Sequence, residues 1–211
     1  MKKILKLLNL GEIDENQKWI LIFAFVTGLV YTYISPVLLK AVISALPEEW
    51  IAFQSLFFAG SSLLIGFIWK GRFRKAIIRR FIIFCIGECT AGFLVSIYLV
   101  FIHYNIWVYA ISSLIYTSMI TVLVGKCIMA FKSKLWNEHA RERYDNNNSI
   151  VGGIVCLAGF SAALLFMPSL KISLILWGST CLLDDVGWII VYLKNKDKLK
   201  ETENEEEIKE E

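Results

Sequence analysis

Three carboxylic acids stand inside long apolar stretches of this 211-residue chain: Glu88 and the adjacent Asp184 and Asp185. As an ion facing lipid, each costs about 2.5–3.5 kcal/mol at the centre of a helix in a bilayer, so each must meet a proton, a cation or a wet cavity. Their neighbours fit that kind of site. Cys85, Glu88, Cys89, Gly92 and Ser96 recur at helical spacing as one small, polar stripe. Trp177, Thr180, Cys181, Asp184 and Trp188 form a second stripe, and Ser113, Thr117, Thr121 and Gly125 step along a third. Stripes of this kind line a cleft when they face one another, or hydrogen-bond across helices in a closed bundle. Lys126 lies within the fourth stretch; it either snorkels to the interface or pairs with Glu88 or Asp184. Acids outnumber bases at this depth, which leaves a carboxyl to load and release a proton or to neutralise a cationic substrate. Asp185 lies about 100° round the helix from Asp184 and is expected to matter less unless it meets a base. Tyr31, Tyr33, Tyr109 and Tyr116 can stack on a ligand. The expected substrate and proton site therefore comprises Glu88, Asp184, Asp185, Lys126, Tyr31, Tyr116 and Trp177.

Other chemistry finds little support. The chain has no Gly-x-Ser-x-Gly elbow, no His-Glu-x-x-His pair and no phosphate loop, and Trp188 stands where a DDxxD metal motif needs an acid. Cys85, Glu88 and Cys89 share a face, but no histidine lies within an apolar stretch to complete a soft-metal site. No enzyme activity, cofactor or metal is expected. The cysteines at 85, 89, 127, 156 and 181 all fall inside apolar stretches and read as small packing residues.

The elements that must hold these residues are six apolar runs: Lys18–Leu46, Trp50–Trp69, Phe81–Ile102, Ile106–Phe131, Ser149–Met167 and Leu170–Leu193. Each is long enough to cross a hydrocarbon core, which takes about 20 residues of helix. The mean hydropathy of +0.58 excludes an ordinary soluble domain. The net charge of +3 is carried by basic residues beside the runs, which anionic lipid explains without nucleic acid. The fold class expected is all-α: a polytopic membrane protein with a six-transmembrane-helix bundle.

Charge between the runs sets the orientation. Lys2, Lys3, Lys6 and Lys18 precede the first run. Lys70, Arg72, Arg74, Lys75, Arg79 and Arg80 link the second to the third; Lys132, Lys134, Arg141 and Arg143 link the fourth to the fifth; Lys194, Lys196, Lys198 and Lys200 follow the sixth. The remaining links, around Glu48-Glu49, Tyr104 and Pro168, hold no Lys or Arg. The positive-inside rule then puts both termini in the cytoplasm of a multi-pass cell-membrane protein. The sequon Asn147-Asn148-Ser149 falls on the inner side and is discounted. The N-terminal stretch reads as interfacial, because Gly11 to Glu15 interrupts it too early for a cleavable signal. The expected division is residues 1–17 as an amphipathic cytoplasmic segment, 18–193 as the six-helix domain and 194–211 as a charged cytoplasmic tail.

Three runs followed by three of similar total length, each set opening on a tryptophan (Trp19, Trp107), read as two inverted three-helix repeats, a construction common in secondary transporters. The inference is topological, since the halves share no residue-by-residue similarity. Pro36 predicts a kink near the outer end of the first run. Gly159 and Ala163 predict close helix packing, within the bundle rather than at a dedicated dimer face.

The link Gly66-Phe67-Ile68-Trp69-Lys70-Gly71-Arg72-Phe73-Arg74-Lys75 resembles a degraded signature loop of the major facilitator superfamily. Gly66, Arg74 and Lys75 fit that pattern, and Lys70 stands where the family has an acid. The long basic link before the fifth run and Gly152-Gly153 are also similar to that family. The resemblance covers six spans, half of a usual member, and implies a bacterial half-size transporter that forms a homodimer around the path of a small-molecule substrate. The size and topology also resemble the substrate-capture subunits of energy-coupling-factor vitamin importers. A non-transport immunity or regulatory membrane protein, holding a partner through its acidic tail, is the third reading.

Overall fold

The computed structural model of the chain describes residues 14–70, 78, 80–116, 118 and 121–196. Every regular element among them is helical. In order these are α1 (Glu15–Ala45), α2 (Glu49–Ile68), α3 (Phe81–Ile97) with a π-helical extension (Tyr98–Ile102), α4 (Ile106–Ile115), α5 (Thr121–Leu135), α6 (Glu138–Leu165), α7 (Leu170–Leu183) and α8 (Val186–Lys194). The expected N-terminal amphipathic segment, the signature-like loop from Gly71 through Arg74 and Lys75, and the acidic tail lie outside the described residues.

Side-chain chemistry at the links sets several boundaries. Asn105, Asn137 and Ser169 cap α4, α6 and α7, accepting from the backbone N–H of Trp107, Ala140 and Ile172 at 2.9, 2.9 and 3.4 Å. Pro47 and Pro168 follow the ends of α1 and α6, where a proline cannot continue a helix. Pro36 lies inside α1 and leaves the Thr32 carbonyl without its usual amide donor. The Ser35 hydroxyl donates to that carbonyl instead, at 3.2 Å.

Among the described residues five helices are long and apolar enough to cross a membrane: Glu15–Ala45, Glu49–Ile68, Phe81–Ile102, Glu138–Leu165 and Leu170–Lys194. Of the fourth run, expected as one span over Ile106–Phe131, the described residues are helical throughout, α-helical over 106–115 and again from Thr121. Regular α-helix ends at Ile115, and the backbone is π-helical at Tyr116 and Ser118 before α5 begins. This stretch is rich in Ser and Thr, whose hydroxyls compete with the backbone ladder for hydrogen bonds. The sixth run has a turn at Asp184-Asp185, between α7 and α8.

Polarity is distributed inside out. Leu56, Phe67, Leu157 and Leu164 are 72–86% exposed, whereas Glu88, Asp185, Gln17 and Asn147 are at most 6% exposed. Apolar side chains outside and polar ones inside fit a multi-pass membrane protein, because lipid tails are as apolar as leucine. Small residues let the inner helices approach. A Cβ on Gly159 of α6 would strike Thr32 of α1, so the Gly159–Ala163 face serves packing within the bundle. On α3 and α7, Gly92 faces Cys181 and Gly178 faces Ser96, each close enough to exclude a larger side chain. The Ser96 hydroxyl donates across that interface to the Leu174 carbonyl at 2.7 Å.

The two ends of the bundle are tied separately. At one end Gln17 donates to the Ala140 carbonyl at 3.0 Å and Lys194 meets Glu15 at 3.2 Å. At the other end the Tyr33 hydroxyl donates to the Phe166 carbonyl at 2.7 Å, and Trp50 and Trp107 pack edge to face.

Candidate functional site

The stripe read on the third run is real as a face: Cys85, Glu88, Cys89, Gly92 and Ser96 are the buried residues of α3 together with Phe81. That face packs on α7, where Gly92 meets Cys181 and Ser96 meets Gly178. The first two expected stripes therefore meet at Gly92 and Cys181, while Trp177 and Thr180 of the second face α1 and α4. Of the third, Ser113 lines cavities described below, while the side chains of Thr117 and Thr121 lie outside the described residues.

The two aspartates diverge at the turn between α7 and α8. Asp185 is buried and faces Glu88 and the Cys85 thiol. Asp184 points the other way, into a cavity of about 300 Å³ bounded by α1, α4 and α7. Tyr116 connects the two environments: its phenol donates to Oδ2 of Asp184 at 3.0 Å, and it also lies against Glu88. Asp185, expected to be the lesser of the pair, is thus the closer partner of Glu88.

The Glu88 and Asp185 carboxyls present acceptors to each other. Oε2 of Glu88 and Oδ2 of Asp185 are buried with no hydrogen-bond partner among the described residues. Burying polar atoms unpaired is costly, so these two oxygens are sites where a donor would bind favourably. The described ion pairs join Lys132 to Asp145, Lys194 to Glu15 and His139 to Glu142, so no cation among the described residues pairs with any of the three acids. Lys126 is half-buried on α5, and its neighbours Leu123, Val124 and Cys127, rather than Lys126 itself, face Glu88.

Among the described residues, three cavities bear on this group. Glu88 lines one of about 440 Å³ that extends to Arg80, at the start of α3. Asp184 lines the 300 Å³ cavity with Thr27, Tyr31, Tyr116, Trp177 and Thr180. The largest, about 670 Å³, runs past Pro36, Gln54 and Tyr109 and contains no acid. Tyr31 and Ser113 line both the second and the third, so those two adjoin. Trp177 is fixed by an edge-to-face contact with Tyr109, ring centroids 5.1 Å apart. Glu88 and Asp184 therefore stand in separate cavities with Tyr116 between them.

Of the expected site residues, Glu88, Asp184, Asp185, Tyr31, Tyr116 and Trp177 come together, and Lys126 makes no ion pair with the acids. Thr27 was not foreseen. It lies one helical turn before Tyr31 on α1, a spacing that marks a shared face once α1 is known to be the facing helix. Among the described residues no group of three or more His, Cys, Asp or Glu could hold a metal ion. Compared with family models, curated proteins and solved structures, the chain matches none.

Proposed function

We propose that this chain is a membrane transporter of a small molecule, built as a half-size, major-facilitator-like secondary transporter that works as a homodimer and couples to protons. It crosses a bacterial cell membrane six times with both termini cytoplasmic, α4 and α5 together making the fourth crossing. The observation that carries this reading is the bond between Tyr116 and Asp184. It joins two helices at the points where each leaves regular α-geometry, between cavities of about 300 and 440 Å³. Interrupted helices meeting polar groups at membrane depth are the construction secondary transporters use to bind substrate and coupling ion. Facing acids that pair with no cation among the described residues give a proton a place to bind and leave. Sparse packing of α2 on the rest of the chain supports the dimer, since α2 buries only Ser61 and Ile65.

The test is transport by the purified chain in proteoliposomes under a pH gradient, against a panel of cationic, neutral and anionic solutes. The expected result is uphill accumulation of at least one solute that collapses when the gradient is dissipated. If no solute moves faster than through protein-free vesicles, the transporter reading fails.

One observation favours a second reading. The cavity of about 670 Å³ is lined by residues of a single chain, which suits a capture subunit that binds its vitamin as a monomer and hands it to an ATPase-driven partner. That reading predicts ligand binding without uptake.

A further inference from the structure

We infer that the cavity beside Asp184 is a site for a small organic cation, an ammonium compound, which deepens and rests on the transporter reading by naming its substrate class. The polar lining offers acceptors. The Thr27 hydroxyl gives its proton to the Phe23 carbonyl at 2.9 Å, and the Thr180 hydroxyl gives its proton to the Trp177 carbonyl at 2.7 Å. The Tyr116 phenol gives its proton to Asp184 itself. The Thr27 and Thr180 oxygens can also accept, so beside the Asp184 carboxylate this lining repels an anion and attracts a positive charge. The walls are aromatic: Tyr31, Tyr116 and Trp177, from three different helices. Their π-faces attract a cation, most strongly when it is desolvated. Asp184 has no partner cation among the described residues, so its charge is available to a ligand. The volume, about 300 Å³, is at the lower end for small-molecule sites and suits a compact ammonium group. The adjoining larger cavity supplies an approach past Tyr31 and Ser113.

Equilibrium binding to the full chain in nanodiscs tests this, with choline as the probe and its neutral isostere, carbon replacing the ammonium nitrogen, as the control. Quenching of intrinsic tryptophan fluorescence that is lost in Trp177→Phe provides a second readout. Choline is expected to bind saturably, and the isostere at least about tenfold more weakly, because it keeps the shape and loses the charge. Asp184→Asn is expected to remove the preference for choline over the isostere. Absence of saturable choline binding overturns the inference, as does an isostere that binds equally well. The isostere comparison uses the unaltered chain, so it decides even if Asp184→Asn does not fold. The assay has no gradient and thus separates the two claims. Choline that binds but is never accumulated overturns the transporter and leaves the site, whereas accumulation of a neutral or anionic solute without choline binding overturns the site and leaves the transporter.

Discussion

Tyr116 and Asp184 are joined across the bundle by a 3.0 Å hydrogen bond, and each marks the place where its helix stops being regular. The π-helical backbone at Tyr116 and the turn at Asp184-Asp185 both lie next to Glu88. Departures of this kind loosen the backbone ladder at membrane depth, where few partners are available, and they recur at functional sites. The same turn sends Asp184 to one cavity and Asp185 to Glu88. A movement of α7 relative to α8 would therefore change both acid environments together.

The proposed topology predicts the accessibility of the links. Single cysteines at Glu49, Asn105 and Ser169, on a background without the native cysteines, are expected to react with an impermeant thiol reagent applied to intact cells. Cysteines at Arg74 and Arg141 are expected to react only after permeabilisation. Labelling of the latter two from outside would invert or break the arrangement.

The proposed dimer predicts a cross-linked species of twice the monomer mass in native membranes. Cysteines on the exposed face of α2, at Leu56 and Leu63, are expected to form it most efficiently. Monomer alone at native expression gives precedence to the capture-subunit reading.

The repair of α1 at Pro36 predicts a coupling between neighbours. Ser35→Ala removes the donor to the Thr32 carbonyl and is expected to cost about 0.6–1 kcal/mol, the range for hydrogen bonds in membrane helices. In a Pro36→Ala background the restored amide serves that carbonyl, and Ser35→Ala is expected to cost nothing measurable. Equal destabilisation of both backgrounds in reversible unfolding in mixed micelles would mean that Ser35 acts otherwise.

Much of this arrangement was legible in the chain because two signals were strong. Apolar runs long enough to span announced the helices, and a polar stripe on an apolar helix announced the buried face of α3, since a lone Glu88 must turn inward. What was not legible was which elements meet. Regular helical spacing put Asp184 with Trp177, Thr180 and Cys181, and the cavity beside Asp184 keeps that set together; spacing within one helix could not show that Asp185 lies beside Glu88 of another. Lys126 looked like a partner for the acids by depth alone, but side-chain direction on α5 turned Leu123, Val124 and Cys127 to Glu88 instead.

The central claim is that Glu88 and Asp184 couple a proton to solute movement, and proteoliposomes carrying a luminal pH dye test it most directly. With the lumen acidic and a transported solute added outside, the wild-type chain is expected to give a solute-dependent change in luminal pH. Glu88→Gln and Asp184→Asn are each expected to abolish that change while the protein remains folded and inserted. An unaltered proton signal in the Glu88→Gln, Asp184→Asn double variant would contradict the account and leave these acids as buried hydrogen-bonding partners.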